Sequence, residues 1–173
     1  MDFEAFFDDV FPSLYRYCTR LTGDADVAED VAQEAFLRFV RDEVEGPPGA
    51  LRVWLFKVAT HLVRDRYRVS ENRRRLLEEN PVTPSPLPDP DGDLARNERV
   101  AAVRRALDGM GPRDRQLLLM RGEGFSYREM ADAVGVKATS IGTLLARAQA
   151  RFVEAYEGRP VESGPGEDHE RSD

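Results

Sequence analysis

The chain has a single cysteine, Cys18, and two histidines, His61 and His169, that lie far apart in the sequence. One cysteine excludes an internal disulfide and a zinc site built on several cysteines, and two distant histidines add no metal cluster. Apolar runs are also short, far below the ~20 residues of a membrane span. The N-terminus is acidic rather than basic and lacks a small-residue cleavage site, so it does not resemble a signal peptide. We therefore predict a cytoplasmic protein with no metal, no cofactor and no inserted membrane segment.

Signals for β-strands are nearly absent, because no segment sustains an alternation of apolar and polar residues and no Asn-Gly turn occurs. Apolar residues instead recur at helical spacing. The pattern predicts a first helix that Pro12 begins or kinks, a second over 24–40 and a third over 50–68. A stop at Gly23, followed by Asp24 as a new N-cap, separates the first two helices. The fold is predicted to be all-α.

Two small helical domains are predicted, on either side of a flexible segment rich in proline and aspartate. Residues 80–93 hold five prolines and three aspartates, so they can neither continue a helix nor bury apolar surface. We place the N-terminal domain at 1–75, the linker at 76–93 and the C-terminal domain at 94–158. The remaining residues, 159–173, are predicted to form a disordered acidic tail.

The net charge of −7 hides a pattern of blocks. Residues 52–75 contain eight basic and two acidic groups, and residues 96–159 contain twelve basic and eight acidic groups. The segments 1–51, 76–95 and 160–173 are acidic. The two basic blocks could face the phosphates of a nucleic acid, whereas the acidic blocks could not.

The most informative local pattern is that of a helix-turn-helix over residues 127–146. Such a motif needs a small residue where its helices cross and a glycine that can take a positive φ in the turn. Ala131 and Gly135 meet both needs. Ser126 and Glu129 form a capping box before the first helix, which Phe125 could staple. The apolar positions of the crossing are Met130, Val134, Val136, Ile141 and Leu144.

The second helix of this motif has a predicted core stripe and a polar face. The stripe consists of Ile141, Leu144, Leu145, Ala148 and Phe152. The other face carries Ser140, Thr143, Arg147 and Arg151, which suit a helix that enters the major groove of DNA. An ordinary pair of packed helices joined by a glycine is the alternative explanation of the pattern.

Taken together, three stretches resemble the extracytoplasmic-function sigma factors, the compact two-domain members of the bacterial RNA polymerase sigma family. The resemblance covers about residues 3–157. Residues 28–39 (AEDVAQEAFLRF) are similar to the polymerase-binding helix, and residues 51–68 (LRVWLFKVATHLVRDRYR) to the promoter-melting helix. Residues 111–120 (GPRDRQLLLM) and the helix-turn-helix are similar to the reader of the upstream promoter element.

The resemblance implies three sets of site residues. The set that would dock on core RNA polymerase is Glu29, Asp30, Gln33, Glu34 and Leu37. The set near the minus-ten promoter element is His61, Arg64, Asp65 and Arg68. The set that would bind the minus-thirty-five element is Arg128, Lys137, Thr139, Ser140, Thr143, Arg147 and Arg151.

Simpler explanations stand beside several of these roles. Glu29 and Asp30 could merely complement the positive end of a helix dipole. His61 could be an ordinary packed or solvated histidine, and Arg147 a solvated arginine without a DNA role. Trp54, at the family's tryptophan position, could pack in the core or serve as a stacking platform.

The chain departs from the family pattern at a few positions. His61 occupies a place where many relatives have asparagine, and Lys137 one where a serine is common. Gly142 and Leu144 stand at two positions that are often basic. These departures bear on promoter contact and leave the predicted fold unchanged.

The function that the resemblance implies is that of a sigma factor without a catalytic centre, responding to stress or envelope signals. Its partners would be core RNA polymerase, promoter DNA and an anti-sigma factor. The main alternative is a one-component helix-turn-helix regulator that acts without polymerase. A sigma-sequestering protein and a nucleic-acid enzyme agree less well with the two basic blocks and with the lack of a carboxylate cluster.

Overall fold

The structure, a computed structural model, describes residues 2–77 and 94–158, with side chains described for 2–69 and 96–158. Within these residues it contains seven helices and no strand, which confirms the predicted all-α fold. The helices are α1 (Phe3–Thr22), α2 (Ala25–Arg41), α3 (Pro48–Leu77), α4 (Leu94–Asp108), α5 (Pro112–Gly122), α6 (Tyr127–Val134) and α7 (Ala138–Tyr156). Residues 78–93 of the predicted linker and the predicted tail lie outside the described residues.

Helix α1 begins well before the proline that we expected to start or kink it. Asp2 caps the helix, since its carboxylate accepts hydrogen bonds from the backbone of Glu4 and Ala5. Pro12 lies inside the helix, so the predicted start at this residue is wrong. The local cap decided the start, because a side-chain acceptor satisfies backbone N–H groups that the first turn leaves open.

The turn between α1 and α2 forms as the sequence predicts. Gly23 has a φ of 75° and ends α1, a conformation that glycine adopts without steric cost. Asp24 then caps α2 through hydrogen bonds from the backbone of Asp26 and Val27. Helix α2 therefore begins within one residue of its predicted start.

The N-terminal domain packs α1, α2 and α3 around aromatic side chains. The hydroxyl groups of Tyr17 and Thr60 are hydrogen-bonded at 2.7 Å in the buried centre of this domain. Trp54 is partly buried and meets Phe39 edge-on, with ring centroids 6.0 Å apart. Its packing agrees with a core role. Helix α3 continues to Leu77, beyond its predicted end at residue 68.

The C-terminal domain contains the predicted helix-turn-helix. Ser126 and Glu129 form the capping box before α6, and Gly135 ends that helix with a φ of 71°. Three positions of the predicted stripe on α7 are buried, namely Ile141, Leu145 and Ala148. Leu144 and Phe152 are partly buried and pack against the same core. The second helix thus turns the predicted face inward.

The two domains pack against each other rather than standing apart. Their buried apolar residues form one continuous cluster, in which Phe56 of α3 meets Phe125 of the turn between α5 and α6. The sequence predicts two small helical domains joined by a flexible linker, and that prediction contains no contact between them. In the described part of the chain, no helix is long and apolar enough to cross a membrane.

Candidate functional site

Helix α2 presents the residues of the predicted polymerase-docking set along one side. Its opposite side, including Val31, Ala35 and Phe36, is buried against the rest of the domain. Leu37 lies on the outer side with 65% of its surface exposed, a large value for an apolar side chain within a helix. The polar members of the set, Glu29, Asp30, Gln33 and Glu34, precede Leu37 on the same side of the helix and are exposed or partly exposed.

Hydrogen bonds hold several of these side chains in place. Gln33 donates to the carboxylate of Glu29 at 3.0 Å, and Arg38 donates to that of Glu34 at 2.7 Å. The two residues of each pair are four positions apart, about one helical turn, where side chains on the same face meet. The outer side of α2 therefore carries hydrogen-bonded carboxylate, amide and guanidinium groups together with an exposed leucine.

The predicted minus-ten set shares one side of α3. His61, Arg64, Asp65 and Arg68 follow the i, i+3, i+4 and i+7 spacing of a helix face, and all four are exposed. Arg64 nevertheless donates to the amide oxygen of Gln116, on α5 of the other domain, at 3.0 Å. The structure thus places His61 and Arg64 of this set against α5.

The predicted minus-thirty-five set forms a surface on the helix-turn-helix. Six of its members are exposed, one on α6 and the others at the start and along the outer side of α7. They are Arg128 on α6, then Lys137, Thr139, Ser140, Thr143 and Arg147. Lys137 is the N-cap residue of α7 and makes no side-chain capping bond, so that the helix begins without a hydroxyl or carboxylate acceptor. An uncapped helix N-terminus with basic neighbours is suited to a phosphate.

Arg151, the last member of this set, has a protein partner. Its guanidinium donates to the carboxylate of Asp114, at the start of α5. This ion pair links α7 to α5 within the C-terminal domain. This pair gives Arg151 a structural role. Arg147 is exposed and forms no ion pair within the described residues.

The C-terminal domain caps the end of α1 with an arginine. Arg104 of α4 donates to the carbonyl oxygens of Arg20 at 3.0 Å and Thr22 at 2.5 Å. Gly23 makes room for it, because a Cβ atom there would lie 2.2 Å from the Arg104 guanidinium carbon. A cation at a helix C-terminus is favoured by the last free carbonyls and by the helix dipole. Gly23 thus serves the turn and the domain contact together.

The turn between α5 and α6 provides the second anchor. Glu123 accepts hydrogen bonds from Arg16 and Arg20 of α1, both at 3.0 Å, and only 4% of its side chain is exposed. Arg52 of α3 donates to the backbone oxygen of Glu123 at 2.6 Å, and its guanidinium lies 4.2 Å from the ring centroid of Phe125. Three arginines of the N-terminal domain therefore converge on Glu123 and Phe125 of this turn.

Sequence reasoning did not find this interface. It treated residues 52–75 and 96–159 as basic blocks available to phosphates, yet Arg52 and Arg104 bind carbonyl oxygens of the other domain. An arginine that binds protein and one that binds DNA look the same in a sequence. The one signal in the sequence is the apolar Phe125 in this turn, which the sequence pattern assigns to a local staple.

The surroundings of Glu129 and Cys18 shift the pKa of each group. Hydrogen bonds from the hydroxyl and backbone of Ser126 lower the pKa of Glu129, which keeps the capping box charged. Burial raises the pKa of the Cys18 thiol to about 12. Neither shift indicates catalysis, because the first belongs to a helix cap and the second to an apolar core.

Comparison with known proteins finds relatives of both domains. The model of sigma-70 region 2 matches residues 6–74, and the model of sigma-70 region 4 matches residues 101–151. The chain is 32% identical over 145 residues to the ECF RNA polymerase sigma factor EcfG of Rhodopseudomonas palustris, an alignment that covers 81% of this chain and 77% of that protein. The chain belongs to the ECF RNA polymerase sigma factors.

Other members of this family are longer. The sigma factor SigE of Mycolicibacterium smegmatis is 32% identical over 137 residues, which cover 78% of this chain and 52% of that protein. SigG of Mycobacterium tuberculosis is 31% identical over 180 aligned positions, which cover 87% of this chain and 48% of SigG. This chain therefore spans about half the length of these two mycobacterial relatives.

Two solved structures share the fold of this ECF sigma factor. One is the sigma factor RpoE of Bartonella quintana in complex with the anti-sigma factor NepR, with a TM-score of 0.66 and 24% identity over 90% of this chain and 97% of that one. The other is the complex of PhyRSL with NepR from Sphingomonas sp. Fr1, with a TM-score of 0.60 and 21% identity over 99% and 100% of the two chains. At these identities the likeness concerns the fold alone.

Proposed function

We propose that this protein binds core RNA polymerase, directs it to promoters and has no catalytic centre of its own. The outer side of α2 is the polymerase-docking surface in this proposal. The observation that supports it most is the exposed Leu37, which follows Gln33 by one helical turn on the same side of α2, where Gln33 is bonded to Glu29. Exposed apolar side chains beside polar ones are typical of protein-binding sites.

Promoter recognition is assigned to the two other surfaces. His61, Arg64, Asp65 and Arg68 would meet the minus-ten element, where capture of an unpaired base offsets the few kcal/mol that unstacking costs. The exposed side of α7, with Thr143 and Arg147, would enter the major groove at the minus-thirty-five element. The protein would then act by differential binding, with polymerase supplying the chemistry.

An anti-sigma factor is part of the proposal. The fold is shared with a sigma factor that was solved with its anti-sigma factor bound. Leu37 and Val40, both on α2 and both more than half exposed, offer apolar surface that a sequestering protein could cover. Such a partner would compete with polymerase for α2.

The test is a pull-down of core RNA polymerase with charge reversal on α2. The variant carries Glu29→Lys, Asp30→Lys and Gln33→Ala, and we expect association to weaken at least tenfold with the helical circular dichroism retained. The matched control is Asp8→Lys with Asp9→Lys, which makes the same charge change on the exposed side of α1. Unchanged polymerase affinity in the folded α2 variant would contradict the proposal and favour a regulator that acts without polymerase.

A further inference from the structure

A basic cavity lies where α3 of the N-terminal domain faces α5 and α6 of the C-terminal domain. It has a volume of about 400 Å³. Lys57, His61 and Arg64 line it from α3, and Arg113 and Gln116 line it from α5. Because its walls come from both domains, the cavity exists only while the domains are packed together.

Within residues 2–69 and 96–158, no carboxylate is paired with the positive charge of this cavity. The ion pairs of the domain interface use other arginines, such as Arg16 and Arg20 with Glu123. Among the described residues, no carboxylate forms an ion pair with Lys57, Arg64 or Arg113, and no acidic residue lines the cavity. A cleft lined by one sign of charge focuses its field and concentrates counter-ions.

The start of α5 adds to this field. Pro112 and Arg113 open the helix at the cavity wall, the N-cap residue Gly111 has no side chain to cap it, and the first-turn carboxylate of Asp114 is paired with Arg151 and does not line the cavity. Backbone N–H groups at an uncapped helix start attract anions, and the helix dipole acts in the same direction. Two guanidinium groups nearby, those of Arg64 and Arg113, have the donor geometry that suits phosphate oxygens.

We propose that this cavity binds a small polyanion built of phosphate groups and that the bound anion holds the two domains together. Its volume lies in the lower part of the range for small-ligand sites, about 300–1,000 Å³, which suits a few linked phosphates. The anion stabilises the packed arrangement because it contacts both walls. The cavity shares His61 and Arg64 with the proposed minus-ten surface, whereas Arg113 belongs to none of the proposed polymerase or promoter sets, so a test on Arg113 can fail without the proposed function failing.

Inorganic tripolyphosphate is the probe for this site, titrated into the full chain by calorimetry. We expect saturable binding that Arg113→Gln weakens about tenfold, the loss expected for one charge-assisted contact. The matched control is Arg105→Gln, which removes the same charge from an exposed position on α4 and should bind as the wild type does. Equal weakening in both variants, or no saturable binding to the wild type, would overturn the proposal.

A second measurement tests the link between the domains and separates a free phosphate compound from a nucleic-acid backbone. Tripolyphosphate should raise the melting temperature of the wild type and of Arg105→Gln, and raise that of Arg113→Gln much less. A short single-stranded oligonucleotide is titrated in parallel. If it binds more tightly than tripolyphosphate and with equal dependence on Arg113, the cavity serves a nucleic-acid backbone and the small-anion proposal is wrong.

Discussion

The rings of Phe56 and Phe125 meet edge to face across the domain boundary, with their centroids 4.7 Å apart. Both side chains are fully buried, and the guanidinium of Arg52 lies over the outer part of the pair. Edge-to-face contact of this kind adds to the free energy of burying aromatic surface. The contact joins the turn before α6 to the first third of α3, so that the two domains share a core.

Phe125→Ala should therefore destabilise the whole chain. We expect a loss of about 3–5 kcal/mol in the free energy of unfolding, the usual cost of removing a buried phenylalanine. Chemical denaturation followed by circular dichroism measures it. The control is Tyr156→Ala on α7, where the ring is 44% exposed and a much smaller loss is expected. A loss below about 1 kcal/mol in the Phe125 variant would mean that this ring is not part of a shared core.

Glu123→Gln tests the polar side of the same interface. The substitution keeps the shape of the side chain and removes the charge that Arg16 and Arg20 contact. Charged hydrogen bonds of this type contribute about 1.5–3 kcal/mol, reduced here because both arginines are about half exposed. We expect a lower free energy of unfolding and a larger radius of gyration in small-angle X-ray scattering. The control Glu98→Gln removes an exposed carboxylate on α4 and should change neither.

The parts of the fold that could be predicted depend on neighbouring residues. The turn at Gly23 and Asp24, the capping box of Ser126 and Glu129 and the left-handed Gly135 all follow from local backbone requirements, and each forms as expected. Of the two roles predicted for Pro12, the start of α1 or a kink in it, the start is wrong for a related reason. A proline is a strong local signal, but the cap at Asp2 precedes it and lets the helix run through.

The packing of the domains could not be predicted in this way. It depends on pairs that lie far apart in the sequence, such as Arg104 with the carbonyls at the end of α1. A basic block of sequence records charge and says nothing about which arginines have protein partners. For the same reason the site was predicted as three separate surfaces, whereas His61 and Arg64 face the other domain.

Gly142→Ala should stabilise the recognition helix. Gly142 lies inside α7, and a Cβ atom there would meet only the Tyr127 ring, at an ordinary contact distance of 3.6 Å. Alanine is favoured over glycine within a helix by about 1 kcal/mol, so we expect a gain of about 0.5–1 kcal/mol in the free energy of unfolding. Gly135→Ala is the contrasting variant, because its φ of 71° makes any side chain unfavourable. A lower free energy of unfolding in Gly142→Ala would contradict the free space that the structure shows beside Gly142.

The buried thiol of Cys18 should be unreactive in the folded protein. Burial raises its pKa to about 12, whereas an unfolded cysteine titrates near about 8.5. Only the thiolate reacts with iodoacetamide, so alkylation at pH ~9 should be slow in buffer and fast in denaturant.

The same shift has a consequence for stability. The unfolded chain loses the Cys18 proton at a lower pH than the folded chain, so this contribution to stability is complete below about pH 8.5 and falls as the pH rises towards 12. Denaturation curves up to pH ~9.5, where tyrosines remain largely neutral, should show this decline in the wild type and less of it in Cys18→Ala. In the alkylation experiment, a fast reaction of the Cys18 thiol in the native protein at pH ~9 would contradict the burial of this side chain.

Arg147 and Arg151 provide the sharpest test of the recognition helix, because they lie one turn apart and differ in their partners. Arg151 is paired with Asp114, whereas Arg147 is exposed on the side with Thr143. Arg147→Ala should lower transcription from a promoter library and relax its upstream sequence preference while leaving stability unchanged. A bidentate contact to guanine would account for about 1–3 kcal/mol of discrimination, whereas a phosphate contact would weaken all sequences alike. Arg151→Ala should instead lower the free energy of unfolding, since it leaves Asp114 without its cation. If Arg147→Ala transcribes with the output and preference of the wild type, Thr143 and the uncapped start of α7 become the candidate readers, and the assignment of Arg147 is wrong.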